Sequence, residues 1–374
     1  MWIRRILGRC YMSKRNDNRN SCLVSLLKSS YDDVDIHSLV EPFGGIQSVV
    51  SSGDRVLVKV NLLNASDPEK HVCTHPLVVK AIAQEVLDVG GVPFIGDSPG
   101  GPFTKRRLEK VYRQTGMAAV ASELGIELNY DTSSQKVSVD DGVRVKKIPV
   151  CNFYTDADAT IAVPKLKTHS LMMMTLACKI MYGVIPGLSK AKYHSTNIKR
   201  ELFADMLVDV LAVTAADLYI MDGIIGMQGD GPAGGDPVEL GVLFASINPV
   251  ALDLSVCRML GIEPVGIPVL KQAKIRGLWP SDITYPLEKP EDVAYQGFEL
   301  PATAGYALTG KKKPKKSPVI MQNCIGCGQC EQICPRSTVH VVNGKAVIEY
   351  SGCIRCFCCH EICPVDAIDL DVVK

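Results

Sequence analysis

Apolar residues recur along most of this chain in two alternating rhythms, and those rhythms predict its layers. Arg55-Val-Leu-Val-Lys-Val60 is a short β-branched run and reads as a strand. From Pro76 to Val89 the spacing changes, with Val78, Val79, Ile82, Ala83, Val86 and Leu87 on one helical stripe and Gly90-Gly91 as its stop. Val92-Pro-Phe-Ile-Gly96 is the next strand, and Asp97-Ser-Pro-Gly-Gly101 then turns toward a helix beginning near Thr104. Thr160–Val163, Leu218–Met221 and Val242–Ser246 read as further buried strands, the last leading through Asn248-Pro249 into a helix over Val250–Leu260. Strands alternating with helices predict an α/β domain over residues 22–308, a mainly parallel sheet layered with helices. Ligands of such sheets lie beyond the carboxyl ends of the strands. The polar residues that follow each strand are therefore the ones to collect.

Near residue 319 the rhythm gives way to cysteines. Cys324, Cys327, Cys330 and Cys334-Pro335 form one C-x2-C-x2-C-x3-C-P run, and Cys353, Cys356, Cys359 and Cys363-Pro364 form a second. This is the pattern of bacterial ferredoxins, in which three cysteines grip one cubane and the fourth reaches across to the other. It predicts two [4Fe–4S] clusters, one on Cys324, Cys327, Cys330 and Cys363, the other on Cys353, Cys356, Cys359 and Cys334. Structural zinc uses separated cysteine or histidine pairs and does not account for a doubled quartet. Residues 319–374 thus read as a small α+β ferredoxin-like domain. It falls below the roughly 70 residues at which apolar burial alone suffices, so the clusters act as its staples. Cys358, wedged between assigned ligands, is expected not to bind.

Composition narrows the setting. The chain is 47% hydrophobic and 22% charged with a net charge of +1, so no global basic field recruits nucleic acid. Lys311, Lys312, Lys313, Lys315 and Lys316 surround Pro314, and residues 309–318 read as an extended basic linker. Residues 1–21 read as a disordered or spurious N-terminal extension, with Met12 an alternative start. No apolar run is long enough to span a membrane. The remaining cysteines (Cys10, Cys22, Cys73, Cys151, Cys178, Cys257 and Cys358) are scattered, which suits a reducing, cytoplasmic setting.

The residues gathered at strand ends are unusually cationic. Lys59 and Asn61, Asp97 and Ser98, and Asp222 each close a strand, while Pro164 leads into Lys165-Leu-Lys167-Thr-His169. In extended chain Lys165, Lys167 and His169 point the same way. Lys179 stands in the apolar helix that follows, where a charge is costly unless paired. Two readings stay open for the lysines. They are either ordinary loop and snorkelling residues, or an anion site with His169 as proton donor. On the second reading His169, Lys165, Lys167 and Lys179 are the catalytic candidates, and Lys59, Asn61, Asp97, Ser98 and Asp222 bind substrate. Asp97 and Asp222 offer too few oxygens for a hard metal and are expected to pair with the lysines. Asp253 either faces the same cleft or serves as first-turn helix charge. His75 and His194 read as structural.

Several stretches together resemble one family, the domain of unknown function 362. They are Val56-Leu-Val-Lys-Val-Asn61, Thr74-His-Pro76, Phe94-Ile-Gly-Asp-Ser-Pro99, Ala162-Val-Pro-Lys-Leu-Lys-Thr-His169, Gly229-Asp-Gly-Pro-Ala-Gly-Gly235 and Ser246-Ile-Asn-Pro-Val-Ala-Leu-Asp253. The resemblance spans about Cys22 to Val373 and includes the cysteine-rich tail. It implies an iron–sulfur protein and no particular chemistry. The expectation is a redox protein, a candidate ferredoxin-coupled oxidoreductase. Its tail would exchange electrons between a ferredoxin-like partner and an acidic small molecule in the large domain. The alternative is a carrier or assembly partner whose large domain only docks another protein. A buried, cation-lined cavity beside one cluster would favour the first, and a flat surface the second.

Overall fold

The apolar runs of the large domain pair into one mixed sheet of nine strands. In chain order these are β1 (Ser25–Lys28), β2 (Arg55–Val60), β3 (Val92–Gly96), β4 (Glu127–Leu128), β5 (Ala159–Val163), β6 (Lys165–His169), β7 (Met173–Met174), β8 (Leu218–Gln228) and β9 (Asp236–Ser246). The structure, a computed structural model, describes residues 21–304 and 316–373. The spatial order is β7-β6-β8-β5-β2-β3-β4, with β9 on β8 and β1 on β9. Pairings from β6 through β8, β5, β2 and β3 to β4 are parallel, while β7, β9 and β1 add antiparallel partners. The α/β layering expected from the alternating rhythms is present.

Period-two alternation sends the two faces of the sheet into different cores. Val56, Val58 and Val60 pack with α1 (Pro76–Asp88) through Val78, Val79, Ile82 and Val86. Leu57, on the opposite face, joins Met221, Phe244 and the helix Pro249–Met259. Lys59 lies on that same face, fully buried. Leu166 packs there too, from a segment that is a strand rather than a loop.

Three stretches differ from expectation. Asp222 and Gly223 do not follow β8 but lie inside it, since the strand continues to Gln228. A Cβ on Gly223 would come within 2.8 Å of the Val242 carbonyl, so glycine permits a strand crowded on both sides. The apolar helix around Lys179 is short: α2 spans Ala177–Ile180 and runs into a 3₁₀ turn, Met181–Val184, before Pro186 starts α3 (Gly187–Thr196). Asp253, in α4 (Pro249–Met259), neither enters a cleft nor serves its own helix. Its carboxylate accepts from Ala177 N at 2.7 Å and Cys178 N at 2.9 Å, capping the start of α2 and setting where Lys179 sits.

The tail is a small α+β unit. β10 (Ser317–Ile320) pairs antiparallel with β13 (Ile368–Asp371), and β11 (Val339–Val342) with β12 (Lys345–Ile348). Two five-residue helices, α5 (Gln329–Ile333) and α6 (Cys358–Ile362), repeat the cysteine pattern. The linker expectation fails at its end, because Ser317 and Pro318 belong to β10. Its stretch 309–315 and the extension 1–20 lie outside the described residues, and Ser21 opens a short strand, Ser21–Leu23.

Burial pushes the Asp253 carboxyl up to about 7 from 3.8. The folded chain therefore keeps a proton that the unfolded chain has lost, and stability falls as pH rises through that window. Between pH 5 and 7 the wild type should lose about 2–3 kcal/mol more than Asp253→Asn. Urea titrations of both proteins across that range check the slope.

Candidate functional site

Adjacent parallel strands in register, Lys59 against Gly96, bring Lys59 and Asp97 together at the carboxyl end of the sheet. Lys59 Nζ donates to Asp97 Oδ1 at 2.7 Å and to the Val60 carbonyl at 2.8 Å. Asp97 also accepts from Leu62 N at 2.7 Å and Ser98 N at 2.8 Å. Burial depresses the Lys59 ammonium and the Asp97 carboxylate opposes that shift. The 3₁₀ turn lies directly on this pair: a Cβ on Gly183 would fall 2.1 Å from Lys59 Nζ and 2.3 Å from Asp97 Oδ1.

The lysines of β6 do not converge on one point. Alternate residues share a face but are strung along the strand, so Lys165 and His169 stand about 13 Å apart. Lys165 Nζ bonds Asp222 Oδ2 at 2.7 Å and Tyr31 Oη at 2.8 Å, fully buried. Tyr31 Oη donates to the other Asp222 oxygen at 3.2 Å, and its ring stacks on His75 at 3.7 Å. Lys167 Nζ donates to the carbonyls of Val72 and Pro232, and burial lowers it to about 8. Lys165, Lys167 and Asp222 are thus held in the protein interior, away from the cavity that His169 reaches. The expected pairing of Asp97 and Asp222 with lysines is the arrangement seen.

That cavity, of about 110 Å³, lies between the large domain and the tail. Lys59, Asn61, Asp97, Ser98, His169 and Lys179 line it from among the sequence candidates. Lys190 and His194 of α3 join them, as do Cys358 and Glu361 of α6. Among the described residues no hydrogen bond or ion pair holds the Lys179 ammonium. The acidic groups acting on it are Glu361 first and then the Cys358 thiol. Lys190 Nζ donates to the Ser98 carbonyl, and burial brings it down to about 8 against the pull of Asp97.

His169 is fixed in one tautomer. Its Nδ1 accepts from Leu171 N at 3.1 Å, so the neutral ring carries its proton on Nε2, 3.4 Å from Glu361 Oε1. Burial and then Lys179 hold the ring well below the usual histidine range, while burial raises Glu361. His194, stacked on Phe203 at 4.2 Å, is lowered to about 3 by burial. With Lys59 matched by Asp97, the two lysines Lys179 and Lys190 face one carboxyl group.

The cysteines gather in two clefts as their spacing predicts. Cys324, Cys327, Cys330 and Cys363 line one, and Cys334, Cys353, Cys356 and Cys359 the other. Backbone amides already point at sulfur: Ala346 N to Cys324 Sγ at 3.4 Å, Thr338 N to Cys334 Sγ at 3.3 Å and Ala367 N to Cys363 Sγ at 3.1 Å. Such N–H···S contacts favour thiolate, and amide bonds lower Cys324 accordingly. The loops match residue for residue, with Gly326 and Gly328 in one and Arg355 and Phe357 in the other at positive φ. No three or more His, Cys, Asp or Glu among the described residues are grouped for a single metal ion. A cubane places irons at its corners and needs its thiolates farther apart, so four cysteines around each cleft fit that cofactor. Cys358 lines both the second cleft and the cation-lined cavity.

Lys190 and Glu361 were missed from sequence. Glu361 had a readable signal: Cys358, Glu361 and Ile362 are spaced i, i+3, i+4 and share one helix face, opposite the ligands. Lys190 had none, since only the fold brings α3 to the cavity.

The model of a family described as a domain of unknown function, DUF362, matches residues 56–258, and that of a 4Fe-4S dicluster domain matches residues 313–364. The second match makes the tail an iron–sulfur domain and implies a redox or electron-transfer role. A thylakoid-associated protein of Synechocystis sp. is 37% identical over 292 residues, 74% of this chain and 87% of its own. Among solved structures, the lactate racemase apoprotein of Thermoanaerobacterium thermosaccharolyticum superposes with a TM-score of 0.41 at 15% identity, over 66% of this chain and 58% of that one. A protein of Thermotoga maritima gives 0.35 at 14% identity, over 54% of this chain and 52% of its own. The chain spans little more than half the length of these two structures, and neither likeness carries a mechanism. No helix among the described residues is long and apolar enough to cross a membrane.

Anaerobically purified protein should carry about eight irons and eight acid-labile sulfides per chain. Cys358→Ser should keep both clusters by electron paramagnetic resonance, and Cys359→Ser should lose or convert one. Zinc in place of iron, or cluster loss in the Cys358 variant, would contradict the assignment.

Proposed function

The chain belongs to the DUF362 family, joined here to a 4Fe-4S dicluster domain, and from that premise we propose that the tail exchanges electrons with a small anion bound in the cavity between the two domains. One observation carries the reading: Cys358 is wall to both the cation-lined cavity and the cleft of Cys334, Cys353, Cys356 and Cys359. A cluster there would sit one side chain from the bound molecule. The other cleft faces outward, with Cys327 exposed and Ile325 61% exposed beside it, and serves as the port for a ferredoxin-like partner. When bound, the clusters supply single electrons.

The chain's own residues bind and manage protons. Lys179 and Lys190 hold the anion. The Nε2–H of His169 and the carboxyl of Glu361 are the groups placed to give or take a proton. Asn61 and Ser98 line the cavity as well, the Ser98 hydroxyl turned to the Cys151 thiol. Lys59 and Asp97 keep this end of the sheet in place. A cytoplasmic setting is part of the proposal. The thylakoid association in the relative's name suits a protein resting on a membrane surface equally well.

Phosphate, sulfate or a small carboxylate should raise the melting temperature of the anaerobic protein. Mass action gives about 1.4 kcal/mol at ten times Kd. Lys179→Ala and Lys190→Ala should abolish that response with clusters intact. Lys165→Ala should instead cost about 3–5 kcal/mol of stability, because it strands the buried Asp222. If millimolar anions leave the wild type unmoved, the cavity is no anion site and the carrier reading replaces this one.

A further inference from the structure

The two cysteine clefts are unequally placed with respect to the cavity. The cleft of Cys334, Cys353, Cys356 and Cys359 shares the buried Cys358 with the cavity wall. The cleft of Cys324, Cys327, Cys330 and Cys363 shares no wall residue with it. Charge in the cavity therefore lies nearer to one cleft than to the other.

The two free-standing lysines of the cavity differ in the same way. Lys190 is held at the Ser98 carbonyl, and the acidic groups acting on it, Asp97 and then the Cys151 thiol, belong to the large domain. Lys179 makes no hydrogen bond or ion pair among the described residues. The acidic groups acting on it, Glu361 and then the Cys358 thiol, belong to the tail. Lys179 is thus the cavity's cation on the side of the tail, and Cys358 joins it to the adjacent cleft.

The chemistry of the expected cofactor gives this asymmetry a consequence. A cubane held by four thiolates carries net negative charge, and its reduction adds one more. Its potential therefore follows the charge around it. A nearby cation favours the reduced form, and an anion brought beside that cation favours the oxidised form. Salt screens such an effect between exposed charges and much less across a buried wall.

We propose that Lys179 is a counter-charge shared by the cavity and the adjacent cluster, so that an anion bound to it lowers the potential of that cluster far more than that of the other. The proposal rests on the anion-site reading above and adds its regulation. With the cavity empty the adjacent cluster is the weaker electron donor, and it becomes the stronger one once an acceptor is in place. Linkage requires the converse, that reducing this cluster weakens anion binding by the same factor. Redox titration of the anaerobic, cluster-loaded chain by electron paramagnetic resonance, with and without saturating sulfate at constant ionic strength, tests it. The signal that Cys359→Ser removes or converts marks the adjacent cluster, and the other cluster is the internal control. Sulfate should lower the adjacent potential by about 59 mV, the equivalent of about tenfold weaker sulfate binding after reduction. Calorimetric titration of oxidised and electrochemically reduced wild type with sulfate should return the same factor. Lys179→Gln should lower the adjacent potential with no anion present, and Lys190→Gln should lower it far less. The two wild-type measurements decide the proposal even where a variant loads its clusters poorly. Equal shifts of both clusters, or a sulfate affinity indifferent to reduction, overturn the shared counter-charge while leaving the anion site standing. Equal effects of the two lysine variants overturn the particular role of Lys179. A wild type whose melting temperature ignores sulfate removes the anion site itself.

Discussion

Buried ammonium groups govern this end of the molecule, because each must be met by an opposite charge or by several oxygens. Removing such an ion from water costs several kcal/mol even after relaxation. Lys59 answers the cost with Asp97 at 2.7 Å and Lys165 with Asp222 at 2.7 Å, both pairs fully enclosed. Lys167 relies on two carbonyls instead. These three lysines belong to the framework, and they fix the loops after β2 and β3, the strand β8 and the segment around His71 and His75. Lys179 is the exception. Asp253 caps the helix that carries it, and nothing among the described residues pairs with its ammonium. The contrast between paired and unpaired lysines separates scaffold from site more sharply than their positions in the sequence do.

This contrast also shows where sequence reasoning holds. The cysteine assignment followed from spacing, since ligands three residues apart must share a loop and the fourth of each run must cross. The strands β2 and β3 and helix α1 were legible because burial imposes a period of two or 3.6 over uninterrupted stretches. β8 was not read to its end, because Gly223 and Gly226 look like turn residues until strands on both sides demand the absent side chains. For β6 the alternation is legible in the sequence, but a shared face does not make a shared site. A strand spreads alternate residues along its length. Two lysines and a neutral histidine on one face therefore found three different environments.

The residues that α3 contributes carry no such signal. Lys190 and His194 reach the cavity from α3 only because the 3₁₀ turn at Met181–Val184 folds back over Lys59 and Asp97. That turn approaches so closely that Gly183 is the residue the contact admits, and its carbonyl accepts from Ser98 N at 3.0 Å. No local pattern encodes an approach of this kind. It depends on the ion pair beneath being compact and already satisfied.

The far wall of the cavity raises a different question, which is what holds it there. Helix α6 has five residues, too few to persist on its own hydrogen bonds. Cys359 and Cys363 lie on one side of it and belong to different clefts, while Cys358, Glu361 and Ile362 on the other side face the cavity. His360 ties the same helix sideways, its Nδ1 2.6 Å from the Ile368 carbonyl and its Nε2 3.0 Å from that of Asp230 in the large domain. Ile333 of α5 adds to the wall from between Cys330 and Cys334, which again belong to different clefts. Thiolate bonds to two cubanes would therefore brace both short helices along their lengths. On the proposed reading the groups that supply electrons also hold the wall against which the anion binds. Binding and electron supply then share one mechanical support, and a chain that lost its clusters would lose the shape of the cavity together with its source of electrons.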